Sequence, residues 1–206
     1  VELAWVFDIP GELGLPSGIR TIEWAEAHRP EHSVGFGLGG PEQGVPRDLF
    51  DDVFRRARDL GLRSVPHAGE TTGPETIWSS LRDLGAERIG HGTSAAADPD
   101  LLAHLAERGI PLEVCPSSNI ATRAVATLAE HPLRTFVEAG VSVSINSDDP
   151  PMFGTSLNRE YEIAADLLSL DAGGVADLAR AAVRASYAPD GVRASLLAEI
   201  DAYSGD

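Results

Sequence analysis

Short Val/Ile-rich runs alternate with amphipathic helical patterns along most of the 206-residue chain. Each apolar run is too short for a helix, and a β/α alternation of this kind builds a parallel sheet covered by helices. Strands are expected at residues 1–7, 33–38, 63–67, 88–91, 110–115 and 141–146. Helix starts are marked by Ser17, Pro46, Pro74, Asp98-Pro99 and Pro132, each just ahead of apolar residues at helical spacing, and Gly61, Gly85, Gly109 and Gly140 stop four of these helices. Beyond the last strand the pattern is wholly helical, over 157–170, 175–185 and 192–203. No linker or low-complexity tract divides the chain, so one α/β domain over residues 1–206 is expected.

Two architectures satisfy this pattern, a closed eight-stranded barrel and an open doubly wound sheet, and both gather their chemistry at the C-terminal ends of the strands. The polar motifs lie at those ends: Gly39-Gly40-Pro41-Glu42, His67-Ala68-Gly69-Glu70, His91-Gly92-Thr93, Cys115-Pro116-Ser117-Ser118-Asn119 and Asp148-Asp149-Pro150. His67 and Glu70 could offer a metal ligand and a proton-transfer group to one cavity, or form a capped turn. His91 stands between two glycines, suited to close approach by a ligand or to a core hydrogen bond. Asp148 and Asp149 diverge at a strand end, where one can bind a metal while the other meets a ligand, or the pair can cap a helix. Cys115 reads as a small buried hydrophobe. His28, His32, His104 and His131 read as surface residues.

Charge narrows the partners. With 16 Lys+Arg against 32 Asp+Glu the formal net charge is −16, and no local basic cluster offers a grip on phosphate backbones or an anionic leaflet. Nucleic-acid and membrane binding are therefore not expected. A single Cys excludes a disulfide framework and, with no basic leader ahead of the first apolar run, a cytoplasmic setting is expected.

Taken together and in order, the motifs resemble those of the adenosine deaminase family of purine aminohydrolases: Val34-Gly35-Phe36-Gly37-Leu38-Gly39-Gly40-Pro41-Glu42, His67-Ala68-Gly69-Glu70, Arg88-Ile89-Gly90-His91-Gly92, Cys115-Pro116-Ser117-Ser118-Asn119 and Ser147-Asp148-Asp149-Pro150. The resemblance implies a TIM-type (β/α)8 barrel holding one Zn2+ per chain, with His67 and Asp148 as metal ligands. It implies that Glu70 protonates the purine ring nitrogen beside the carbon under attack, and that His91 orients and helps deprotonate the water that zinc activates. Gly40 would donate its backbone N–H to a pyrimidine-ring nitrogen, and Asp149 would hydrogen-bond the far imidazole nitrogen. The partner implied is a small-molecule purine nucleoside, and an oligomer is compatible with it.

Adenosine is the default substrate on this resemblance, with adenine and 6-aminodeoxyfutalosine as alternatives; the run from His67 to Thr76 looks rather like the bacterial branch that contains the last of these. A zinc hydrolase acting on another cyclic amidine or amide, and an inactive purine-binding paralogue or fragment, are the competing readings. The zinc nucleobase deaminases with a Pro-Cys-x-x-Cys signature do not match, because Pro116 follows Cys115 and there is no second Cys. The family's first strand carries a His-x-His pair of further zinc ligands, and this sequence has no His-x-His. Its strands would thus be the third to the eighth of the barrel, with the N-terminal part expected in a longer polypeptide.

Overall fold

The computed structural model describes residues 3–203, so the start of the first expected strand, at Val1 and Glu2, lies outside the described residues. The chain divides into two compact units, Val1–Leu101 and Leu102–Asp206.

In the first unit, β1 (Trp5–Pro10), β2 (Ser33–Gly39) and β3 (Arg63–Ser64) form a sheet in that order, and β4 (His67–Ala68) pairs with β5 (Ile89–His91). The pairings are parallel, with Phe7 beside Phe36, Ile9 beside Leu38 and Ala68 beside His91. Parallel neighbours need a crossover. The crossovers here are α1 (Leu15–His28), α2 (Asp51–Asp59) and α3 (Pro74–Asp83).

The third expected strand is split at Pro66, which has no N–H to give a ladder. Pairing changes partner at that point. Val65 N donates to Phe36 O (2.9 Å), while Gly90 N donates to Pro66 O (3.0 Å). Helix α1 begins at Leu15 rather than at Ser17, because Pro16 suits the first turn. The Ser17 hydroxyl instead bonds back to Pro10 O (3.0 Å) and Gly14 O (2.7 Å), fastening the helix to the end of β1.

Side-chain alternation sorts the two faces of β1 and β2. Phe36 and Leu38 enter an apolar core with Ile9, Ile22, Phe50 and Phe54. Phe36 meets Phe54 edge to face, ring centroids 5.4 Å apart. The opposite face of β2 is Gly35, Gly37 and Gly39, and the Asp8 carboxylate fills the space that side chains at Gly37 and Gly39 would need.

In the second unit, β6 (Leu112–Val114) runs parallel to β7 (Val143–Ile145), Leu112 beside Val143 and Val114 beside Ile145, with α6 (Leu133–Glu138) between them in sequence. α4 (Pro99–Arg108) precedes β6, and the division between the units falls within it. Gly61, Gly85, Gly109 and Gly140 all take left-handed backbone, φ 76, 61, 63 and 76°. Three of these ends share one closing bond, from the residue after the glycine to a carbonyl five back: Leu62 to Ala57, Ile110 to Leu105 and Val141 to Phe136.

Two short helices stand where strand-end loops were expected, α5 (Pro116–Ala121) and α7 (Pro150–Phe153), each opened by a proline whose missing N–H costs nothing there. The terminal helices are α8 (Leu157–Leu168), α9 (Ala172–Ala185) and α10 (Asp190–Tyr203). The last two start two or three residues before the expected positions. Asp171 caps α9 by accepting from Gly174 N (2.9 Å). No described helix is long and apolar enough to cross a membrane.

Truncating the buried Phe36 ring removes the centre of the first core. Phe36→Ala is expected to destabilise the fold by about 3–5 kcal/mol, read as a lowered urea midpoint with an unchanged slope.

Candidate active site

In the first unit the ends of neighbouring strands bring His67, Glu70 and His91 together. The imidazoles of His67 and His91 meet edge to face with centroids 5.0 Å apart, and His91 Nε2 lies 3.6 Å from Glu70 Oε2. His91 is buried, while His67 and Glu70 are half-buried. The His67 ring is seated between glycines: a Cβ on Gly90 would overlap its Cδ2, and one on Gly39 would lie 3.3 Å from its Nδ1 and on top of the Asp8 carboxylate. Asp8, which no motif flagged, therefore stands beside the same imidazole.

His91 holds a positive φ of 59°. That is uncommon for a residue with a Cβ, and such outliers cluster at functional sites. Gly40 follows β2 with φ 82°, and the Glu12 carboxylate occupies the place a Cβ would take, so only glycine fits there. Gly40 is exposed.

The turn that follows His67 is built on Glu42, the last residue of the Gly39-Gly40-Pro41-Glu42 motif, to which the sequence reading gave no role. The Glu42 carboxylate, 3% exposed, accepts from Gly69 N (2.8 Å), Glu70 N (2.7 Å), Thr71 N (3.1 Å) and the Thr72 hydroxyl (2.5 Å). Arg47, equally buried, stands 3.5 Å from it and donates to the His67 carbonyl (3.0 Å). Burial pulls the Arg47 guanidinium below its ordinary range, and the Glu42 charge opposes that.

The second unit presents Asp148 and Asp149 at the end of β7. Both are exposed. Asp148 has φ 52° and receives the Ser118 hydroxyl at 2.7 Å. Asp149 precedes α7 and gives its carbonyl to Met152 N and Phe153 N, both at 3.0 Å. The side chain does not cap the helix. Cys115 is buried, in keeping with an apolar role.

His131 departs from the surface position expected of it. It is buried, its Nδ1 accepts from Leu133 N (3.2 Å), and its Nε2 faces Asn119 Oδ1 at 3.3 Å. Nε2 therefore carries the proton. Nearby, fully buried Glu160 accepts from Ser117 N (2.9 Å) and from the Thr155 hydroxyl. These groups brace the Cys115–Asn119 turn from partners up to 43 residues away, which is why no local pattern announced them.

The family model for adenosine deaminase matches residues 4–203. The chain belongs to the adenosine deaminase family. It is 65% identical over 204 residues to an aminodeoxyfutalosine deaminase of Streptomyces avermitilis, covering 98% of this chain and 57% of that protein. An adenosine deaminase of Serratia proteamaculans is 50% identical over 147 residues, covering 71% of this chain and 44% of that one. Among solved structures, the adenine deaminase from Arthrobacter aurescens superimposes with a TM-score of 0.93 at 32% identity, covering 98% of this chain and 62% of that one. The chain thus spans about half the length of the curated relatives it matches. Its fold class is the α/β TIM-type barrel of this family, with strands three to eight present.

Burial lowers the His131 pKa from 6.5 to about 4, with the Glu160 charge opposing. Below pH 6.5 the unfolded chain takes up a proton that the folded chain refuses until about pH 4. Stability is therefore expected to fall across that window, by up to about 3 kcal/mol from this group. Urea midpoints at pH 7 and pH 4.5 measure the fall, and in His131→Gln this share of it disappears.

Proposed function

We propose that this chain carries the catalytic strand ends of a zinc-dependent enzyme that hydrolyses the 6-amino group of a purine, with 6-aminodeoxyfutalosine as its substrate. The observation that carries the reaction is the placement of His67, Glu70 and His91 at the ends of neighbouring parallel strands, with the two imidazoles in contact and the carboxylate beside one of them. The substrate follows from the relatives. Aminodeoxyfutalosine deaminases match at 65% and 63% identity over 98% of the chain, against 50% over 71% for the adenosine deaminase. This moves the reading from adenosine, the default on motifs alone, to what was there an alternative.

The residues suit a zinc ion. An imidazole and a carboxylate are among its usual ligands, and the His67 ring is seated in a recess kept open by Gly39 and Gly90. His67 and Asp148 would hold the metal. Zinc, when bound, supplies a Lewis acid that brings the pKa of water to about 7.

The chain's own groups do the rest. Glu70 holds a proton and passes it to the ring nitrogen beside C6, so that the ring accepts electrons as water adds. His91 orients that water and takes its proton. Gly40 N–H and Asp149 fix the ring by its pyrimidine and imidazole nitrogens. The proton held by His91 passes to the amino group while the added hydroxyl returns its proton to Glu70, so the C6–N bond breaks, ammonia leaves and the 6-oxopurine remains.

Ammonia release measured on 6-aminodeoxyfutalosine, adenosine and adenine tests the reading. Turnover fastest on the first is expected, and zinc-loaded protein inactive on all three overturns it. In Glu70→Gln, which cannot supply the proton, turnover is expected to fall by about 10²–10⁴-fold with zinc still bound; a near-normal rate would remove Glu70 from its role.

A further inference from the structure

We propose that Glu42 is a positioning residue for the deamination, setting the backbone that carries both His67 and Glu70 without touching the substrate itself. The inference rests on the reaction proposed above. Three consecutive backbone N–H groups, of Gly69, Glu70 and Thr71, converge on its carboxylate together with the Thr72 hydroxyl. Oε2 takes Gly69 and Thr72, and Oε1 takes Glu70 and Thr71, so the acceptor capacity of an ionised carboxylate is used on both oxygens. A turn of successive N–H groups around an anion is a concave anion site, and here the anion is a side chain of the protein itself. The segment so held begins two residues after His67 and includes the residue that must present a proton to the ring.

The other contacts fix the same segment from its remaining sides. Arg47 spans Glu42 and the His67 carbonyl. Beyond the turn, the Thr93 hydroxyl and Ser94 N both donate to Gly69 O at 2.9 Å. Gly69 itself has φ 68°, and a Cβ there would strike Ile77 and Ser94. The turn therefore has no slack, and its orientation follows the carboxylate.

Glutamine has the same shape but one acceptor oxygen and an NH2 group in place of the other. In Glu42→Gln a donor must face at least one pair of donors, whichever way the amide is turned. Buried hydrogen bonds to a charged group are strong, so protection of the Gly69, Glu70 and Thr71 amides is expected to fall about tenfold to hundredfold in hydrogen exchange. A displacement of about 1 Å at the reacting group costs on the order of 10²-fold in rate. The expected kinetic signature is thus a hundredfold loss in kcat with KM within threefold and zinc content unchanged.

Thr72→Val removes one of the four donors and leaves the charge. It is expected to give a several-fold loss in the same direction, and it reads the same amides should Glu42→Gln fail to fold. Wild-type exchange and wild-type kcat in both variants, in a protein that deaminates a purine, would overturn the role of Glu42. A wild-type protein that releases ammonia from no purine would instead overturn the reaction, while the exchange rates of residues 69–71 still report whether Glu42 holds the turn.

Discussion

Parallel strand pairing is the constraint on which the remaining features depend. A parallel neighbour is reached only after a crossover, so β1, β2 and β4 of the first unit are each followed by a helix before their partner strand, and paired strands finish at the same end. Residues distant in sequence are thereby gathered at that end. His67 and His91 lie 24 positions apart, yet they sit at the ends of paired strands and their rings touch. The chemistry is a consequence of topology before it is a consequence of side-chain type.

Glycine supplies the second condition. One face of β2 holds Phe36 and Leu38 in the core, while the other is Gly35, Gly37 and Gly39. That bare face makes room for the Asp8 carboxylate and for the approach of His67, and Gly90 makes room for the same ring from the next strand. A glycine stripe weakens a strand's own propensity. Here that weakness is offset by the aromatic packing behind it, where Phe36 and Phe54 are both fully buried.

Much of this could be read from the chain. Proline and glycine act locally, so the left-handed helix ends at Gly61, Gly85, Gly109 and Gly140 and the openings at Pro74 and Pro99 follow from short-range sterics. The ordered strand-end motifs brought His67, Glu70, His91 and the two aspartates into view. Features that depend on a distant partner were hidden. Glu42 acts on a turn 27 residues away, and Glu160 on one 43 away. His131 shows nothing in its neighbours that separates a buried imidazole from an exposed one. The split at Pro66 and the helix opened by Pro116 did carry a local signal, since a proline inside an apolar run rarely continues a strand.

The central claim is that the strand ends of the first unit, with His67 as a ligand, serve a zinc ion. Its most direct test is the zinc content of the purified protein after dialysis, measured for the wild type and His67→Ala. Zinc is expected in the wild type and lost in the variant, with the fold retained by circular dichroism. Full zinc occupancy in the folded variant would contradict the claim.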